Sequence, residues 1–287
     1  MARIAIIGGG GMGEALLAGL LRAGRQVKDL VVAERLADRA DYLSNKYSVR
    51  MASVGSAVET ADFVIVAVKP SDAESVVAVI AELAAQADSD TVEQVLISVC
   101  AGITTAFYEA RLPAGSPVIR VMPNAPALVG AGVSALAKGR FATDEHLAQA
   151  STLFESVGAV VTVPESQLDA VTAVSGSGPA YFYLFVEALV DAAVANGLQR
   201  AIATDLVAQT MAGSAAMLLE RIDDERTAGT DTGLDTTPAR LRAMVTSPAG
   251  TTAAGLRELE RGAVRAAVTA AVDAAKTRSE QLGITSE

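Results

Sequence analysis

Short apolar runs alternate with helix-spaced apolar positions through the first half of the chain, and the pattern becomes wholly helical in the second. Residues 3–7, 30–33, 63–68, 95–99 and 117–121 are compact β-branched or aliphatic runs, as strands buried on both faces require. Between them, residues 14–21, 37–46 and 71–85 carry apolar positions at helical spacing. A further helix over 143–157 leads into residues 159–163, which read as a last strand at the sheet edge. This βαβα order predicts a doubly wound, mostly parallel sheet with helices on both faces. From residue 166 the strand signals stop, and helices are predicted over 179–196, 201–221, 238–245 and 251–282, with Gly197 as a natural stop. Residues 223–237, rich in Thr, Gly and Asp, read as an exposed loop. The expected fold class is α/β plus all-α, divided into domains over 1–164 and 165–287.

The helical half raises a question of burial. Residues 181–186 are apolar on every face, as is much of 207–219, so one bundle alone leaves greasy surface in water. Pairing with a second copy covers that surface and predicts a homodimer; the alternative is a central position in a monomeric bundle. Composition adds limits. The 287 residues are 51% hydrophobic, enough for two cores. A net charge of -10, from 23 basic against 33 acidic residues, argues against a nucleic-acid partner. Any bound anion must then be held by local N–H groups or a few cations. The single cysteine, Cys100, permits no internal disulfide and suits a reducing compartment. With no basic leader and no apolar run of membrane-spanning length in the reading, the expectation is a soluble cytoplasmic protein without a membrane partner.

The chemistry begins at the first turn. Gly8, Gly10 and Gly13 follow the first apolar run on the spacing G-x-G-x-x-G and open a helix. The first permits a tight turn, the second lets backbone approach a phosphate, and the third brings helix against strand. N–H groups at the helix start supply the anion site. Four consecutive glycines are weak evidence alone; between a strand and an amphipathic helix they predict a Rossmann-type dinucleotide site and redox chemistry. Ligands of such sheets sit beyond the carboxyl ends of the strands, where the two halves are expected to meet. Ala67-Val68-Lys69-Pro70, Val99-Cys100-Ala101-Gly102 and Val121-Met122-Pro123-Asn124-Ala125-Pro126 end there. Lys69 either reaches cofactor phosphate or ribose or is a solvated strand-end lysine. Pro70, Pro123 and Pro126 stiffen loops, Asn124 either forms a turn or touches cofactor, and Cys100 reads as a packing residue. His146, outside every motif, is expected at the surface. Glu34 ends the second strand where an acid accepts a ribose 2′-OH and selects NAD, while Arg35 could pair a 2′-phosphate and select NADP.

In the helical half, Thr246-Ser247-Pro248-Ala249-Gly250-Thr251-Thr252 is a small-residue turn into a helix. Ser and Thr are expected to cap that helix, Gly250 to permit close approach, and free N–H groups to hold a carboxylate. Val174-Ser175-Gly176-Ser177-Gly178-Pro179 reads as a similar turn, either a tight interdomain corner or a wall of the cofactor site.

Taken together these residues resemble the pyrroline-5-carboxylate reductase family over nearly the whole chain. Ile7-Gly8-Gly9-Gly10-Gly11-Met12-Gly13-Glu14-Ala15 is similar to its cofactor turn, Ala67-Val68-Lys69-Pro70 to its second cofactor segment, and Arg120-Val121-Met122-Pro123-Asn124 to its interdomain loop. Residues 169–181 and 246–252, continuing through Gly255, Leu256, Leu259 and Glu260, resemble its two most specific signatures. The resemblance implies reduction of 1-pyrroline-5-carboxylate to L-proline, the last step of proline synthesis, in an interlaced helical dimer often assembled as a ring of five dimers. It implies cofactor contacts at Gly8, Gly10, Gly11, Met12, Gly13, Arg35, Ala67, Val68, Lys69, Pro70, Cys100, Ala101 and Asn124, with Glu165 bordering the nicotinamide. Substrate is implied at Ser247, Ala249, Gly250, Thr251 and Thr252, the Thr252 hydroxyl bonding the substrate nitrogen. The family's NADP-preferring members carry small polar residues and an Arg after the second strand, so Glu34 is a departure; NADPH is expected, with NADH also usable.

The residues suit that reaction. Reducing a ketone creates an alkoxide and calls for a placed proton donor, and the signature turns offer none. A cyclic imine protonated in solution is already the electrophile, so the protein need only position it. No metal is expected. A β-hydroxyacid dehydrogenase shares the architecture but needs a G-x-G-x-x-x-N-x-x-K helix, and a ketol-acid reductoisomerase needs a carboxylate pair for Mg²⁺; neither is evident in the helical half. A non-catalytic nucleotide sensor is the remaining alternative, separated by assay with the imine.

Overall fold

The computed structural model describes residues 2–86, 93–229 and 236–284. Strands β1 (Ile4–Ile7), β2 (Leu30–Ala33), β3 (Arg50–Met51), β4 (Phe63–Val66), β5 (Val95–Ser98), β6 (Val118–Met122), β7 (Gly132–Lys138) and β8 (Gly158–Thr162) form one sheet. Their order is β3-β2-β1-β4-β5-β6-β7-β8, and every neighbouring pair is parallel except β6 with β7. Helices α1 (Gly11–Arg22), α2 (Ala37–Tyr47), α3 (Val54–Val58), α4 (Ala73–Gln86), α5 (Thr105–Glu109) and α6 (Asp144–Phe154) connect the strands. After the sheet come α7 (Leu168–Val171), α8 (Gly178–Ala195), α9 (Arg200–Thr227), α10 (Thr237–Met244), α11 (Thr251–Arg261) and α12 (Val264–Ile284).

Period-2 alternation divides the core. Ile4 and Ile6 point to one face with Leu16, Leu20 and Phe154, while Ala5 and Ile7 point to the other with Val77, Ile80 and Tyr108. Both faces are dry, so β1, β2, β4 and β5 are apolar or small at every position rather than alternating. The register sets Ile7 beside Ala33 and Val66, and Val66 beside Ser98. One edge of the sheet therefore lines up the residues that follow each strand: Gly8, Glu34, Ala67 and Val99.

Two strands were not predicted. β3 has two residues, and β7 is made largely of Gly, Ser and Ala, which carry little β preference; pairing with β6 and β8 makes it a strand. The expected turn at 174–179 is instead helical: a π turn over Thr172–Gly176 joins α7 to α8, with Pro179 in the first turn of α8, where a missing N–H costs least. The expected helix over 251–282 breaks at Gly262 and Ala263, the latter with φ +54°, a left-handed position. Residues 223–227, expected in a loop, complete α9; of that expected loop, 230–235 lie outside the described residues.

The chain packs as two compact units, Met1–Pro179 with Val272–Glu287, and Ala180–Ala271. These limits differ from the expected division at 164/165 because the helices after β8 still pack on the sheet and the chain returns at its end. Leu168 is fully buried against Ala135 and Ala137 of β7. In the same unit, Gly102 and Gly283 lie so close that a Cβ built on Gly283 would stand 2.9 Å from the Gly102 carbonyl oxygen. Within the second unit, Glu225 of α9 accepts the Thr237 hydroxyl at 2.7 Å and pairs with Arg240, both on α10.

The second unit exposes Phe182, Tyr183 and Leu184, each more than 60% accessible. By length and composition alone, the stretches Glu165–Ala195 and Arg200–Thr227 are long and apolar enough to cross a membrane, against the expectation that none would be. The π turn is the reason for the first, since it carries one helix through a Ser-Gly-Ser-Gly-Pro segment that reads as a break.

Candidate functional site

The glycine turn is built by steric necessity. Gly8 has φ +104°, and its N–H donates to Ala33 at 2.8 Å. A Cβ at Gly13 would stand 1.9 Å from the Gly8 carbonyl oxygen, so only glycine lets α1 cross this close to β1. Gly10 and Gly11 face open space, with nothing within 4 Å of an added Cβ. Gly10 is the N-cap of α1 and supplies no side-chain acceptor, leaving N–H groups of the first turn available to an anion. Open space over bare N–H groups at the head of a helix fits a pyrophosphate.

Behind the turn lies a charged cluster that sequence reasoning missed. The Glu14 carboxylate accepts from Lys46 at 2.9 Å, from Tyr47 at 2.8 Å and from Arg39, whose Nε also donates to the Gly9 carbonyl at 2.7 Å. α2 thereby clamps the glycine turn. Burial pushes the Glu14 carboxyl up, but the hydrogen bonds from Lys46, Tyr47 and Arg39 outweigh it and hold the pKa at about 2 against an ordinary 4.5. A depressed carboxyl stabilises the fold fully above the unfolded value and loses that contribution as pH falls toward the folded one. Glu14→Gln is expected to cost roughly 2 kcal/mol at neutral pH. Urea midpoints of wild type and variant should converge between about pH 4.5 and 2; a gap that persisted would refute this assignment.

The other expected cofactor residues follow β2, β4, β5 and β6. Glu34 accepts the N–H groups of Gly9 at 2.8 Å and Leu36 at 2.9 Å, and Arg35 stands 3.4 Å from Asp72. Ala67 and Val68 are half-buried, and Lys69 and Pro70 are exposed, Pro70 opening a 3-10 turn. Cys100 is buried, its thiol donating to the Val68 carbonyl at 3.3 Å, and burial pushes its pKa up; it is a packing group rather than a nucleophile. Ala101 beside it is half-buried. Asn124 accepts the Val133 N–H at 2.9 Å, fastening the turn between β6 and β7. Glu165 accepts from the Thr105 N–H at 2.7 Å and hydroxyl at 2.6 Å, and Arg120, only 5% exposed, reaches it at 3.4 Å. A lone arginine inside an apolar strand was the sequence signal for that network. His146, expected on the surface, is half-buried: it caps α6 reciprocally with Thr143 and stands 3.2 Å from Glu93.

In the second unit, residues 246–252 form a corner between α10 and α11. The Thr246 hydroxyl donates to the Arg242 carbonyl at 2.6 Å, Ala249 takes φ +58°, and the Gly250 N–H closes on the Ser247 carbonyl at 3.1 Å. The helix cap is Gly250, with no side-chain hydrogen bond, which corrects the expectation that Ser or Thr would cap it. A Cβ at Gly250 would meet the Ser247 hydroxyl at 2.5 Å and its carbonyl oxygen at 3.1 Å, so a larger residue there obliges the Ser247 side chain to turn away. Ser247, Ala249, Thr251 and Thr252 are exposed and Gly250 is half-buried. This is a second helix start whose N–H groups have no side-chain cap.

Comparison with known proteins is consistent along the chain. Residues 165–282 match the family model for pyrroline-5-carboxylate reductase dimerisation, and residues 3–102 the model for NADP oxidoreductase, coenzyme F420-dependent. A pyrroline-5-carboxylate reductase of Mycobacterium tuberculosis is 67% identical, with 100% of this chain and 99% of that protein covered. The solved structure of a pyrroline-5-carboxylate reductase from Coxiella burnetii is 32% identical with a TM-score of 0.86, covering 98% of each chain. That of Plasmodium falciparum pyrroline carboxylate reductase, with NADP bound, is 30% identical with a TM-score of 0.82 and the same coverage. An open glycine turn at the sheet edge, an uncapped helix start in the second unit and full-length identity of this degree lead to one conclusion: the chain belongs to the pyrroline-5-carboxylate reductase family.

Proposed function

We infer that the protein reduces 1-pyrroline-5-carboxylate to L-proline with NAD(P)H, the final step of proline synthesis. The observation that carries this is the identity over the whole chain, glycine turn and helical half together. When bound, the reduced nicotinamide supplies the hydride. The residues of this chain hold the two reactants. Gly10, Gly11, Met12 and Gly13 offer the pyrophosphate bare N–H groups at the head of α1, and Gly8, whose own N–H is held by Ala33, bends the chain that presents them. Arg35 meets the adenosine ribose, and Ala67, Val68, Lys69, Pro70, Cys100, Ala101 and Asn124 line the strand ends along which the nucleotide lies. Glu165 borders the nicotinamide through the network that ties it to Thr105 and Arg120.

Ser247, Ala249, Gly250, Thr251 and Thr252 take the substrate carboxylate, which suits the uncapped N–H groups at the start of α11. Thr252 orients the imine nitrogen with its hydroxyl and is the catalytic residue of this reading. Since the protonated cyclic imine is already electrophilic, the product nitrogen leaves neutral and no protein acid is required. Residues 1–164 serve the nucleotide together with Glu165, and the rest of 165–287 serves the substrate and the dimer. The dimer covers the apolar surface of α8 and α9, and a ring of five dimers is the larger assembly we favour. The enzyme works in the cytoplasm on a small molecule, with neither nucleic acid nor membrane as partner.

The test is oxidation of NADPH, followed by nicotinamide absorbance, with 1-pyrroline-5-carboxylate and with 2-ketoacids. Rapid turnover is expected with the imine alone, and Thr252→Ala should lower kcat/KM by about 10- to 100-fold, the worth of one hydrogen bond to a charged group. Wild-type kinetics in Thr252→Ala would remove that hydroxyl from the mechanism, whereas failure of wild type with the imine would remove the function.

A further inference from the structure

We propose that Glu34 is a fixed acidic element opposing Arg35 at the adenosine ribose, and that it narrows the preference of this protein for the 2′-phosphorylated nucleotide. This rests on the nucleotide reading above. Glu34 follows β2, at the place where dinucleotide folds of this topology meet the ribose hydroxyls. Its carboxylate is anchored at both oxygens: Oε2 accepts the Gly9 N–H at 2.8 Å and Oε1 accepts the Leu36 N–H at 2.9 Å. Turning away from an incoming phosphate would orphan two backbone donors, one of them in the glycine turn itself. A carboxylate has about four acceptor positions, so the two hydrogen bonds leave room to receive a ribose 2′-OH. The same anchored charge repels a 2′-phosphate.

The cations nearby are unequal. Arg39 is committed, with Nε on the Gly9 carbonyl and another nitrogen on Glu14. Arg35 is 75% exposed and rests on Asp72 at 3.4 Å, a loose contact of the kind that contributes little. It can swing to a 2′-phosphate, leaving Asp72. Glu34 and Asp72 act against the phosphorylated nucleotide, Arg35 acts for it, and the balance between NADPH and NADH is set by these three side chains.

Isothermal titration calorimetry of NADP+ and NAD+ against the full-length protein, without substrate, reads this directly. Wild type is expected to bind both. Glu34→Gln should shift the affinity ratio toward NADP+ by about tenfold or more, and Arg35→Ala should shift it the other way by weakening NADP+ while NAD+ stays within about twofold. A ratio unchanged in Glu34→Gln, or both nucleotides lost together in it while melting curves stay normal, overturns the proposal. So does equal weakening of both in Arg35→Ala, a variant that touches neither backbone hydrogen bond of Glu34. If wild type binds neither nucleotide, the glycine-turn reading fails first and this inference falls with it.

Discussion

Gly13→Ala is expected to melt well below the wild type, whereas Gly10→Ala, three residues earlier, should melt normally and lose its nucleotide. The two glycines share a motif but not a reason. At Gly13 the added methyl would stand 1.9 Å from the Gly8 carbonyl oxygen and 3.0 Å from its carbon, and both are backbone atoms that no rotamer change can move. Relief requires α1 to lift from β1, where Leu16, Leu17 and Leu20 are packed with at most 2% exposure. Overpacking of that kind costs about 3 kcal/mol, or about 6–12 °C in Tm for a unit of this size. At Gly10 an added Cβ meets nothing within 4 Å and φ is -65°, which alanine adopts freely. Its Tm should stay within about 2 °C of wild type. The methyl would stand in the open space over the helix start, where backbone must approach the pyrophosphate, so NADP+ affinity should drop by about tenfold or more. Thermal unfolding and calorimetric titration of both variants decide the matter. A Gly10→Ala protein with wild-type affinity would mean that the turn is not the phosphate site.

The turn was readable in the sequence because steric demands on glycine are local, and the strands were readable because burial on both faces leaves an unbroken apolar run. β7 was not, since Gly132, Ser134, Ala135 and Ala137 state no preference until β6 and β8 flank them. The break between α11 and α12 was hidden for a related reason. Gly262 marks it in sequence, but the left-handed residue is Ala263, an alanine that reads as helix everywhere else. The helical passage through Ser175 to Pro179 inverts the usual meaning of its residues, the π turn running on from α7 into α8. At the corner before α11, the hydroxyl residues suggested a side-chain cap, yet the chain places Gly250 there. The charged clusters were the least readable. Glu14 finds Arg39 across 25 positions and Arg120 finds Glu165 across 45, pairings that exist only once the sheet has brought those elements together.

Arg120→Met is expected to destabilise the first unit strongly while adding no bulk. The guanidinium is 5% exposed on β6 and stands 3.4 Å from a Glu165 oxygen and 3.9 Å from an Asp169 oxygen. Neither carboxylate can leave. Thr105 holds Glu165 by its N–H and hydroxyl, and the Ser279 hydroxyl holds Asp169 at 2.6 Å. Methionine fills much of the volume of the arginine stem but leaves two anchored anions facing a site without a cation. Removing the buried member of an ion pair costs about 3 kcal/mol, the low end for such pairs because Glu165 and Asp169 are about a quarter exposed, most of it the penalty on the carboxylates left behind. The variant should therefore melt about 6–12 °C lower. The double variant Arg120→Met/Glu165→Gln separates charge from packing, because it removes one stranded anion while leaving the methionine in place. Recovery of about half the lost Tm identifies the uncompensated carboxylate as the cause. If the double variant melts no higher than Arg120→Met, the loss comes from packing around β6, and the ion network that joins β6, α7 and the end of α12 contributes little to holding the first unit together.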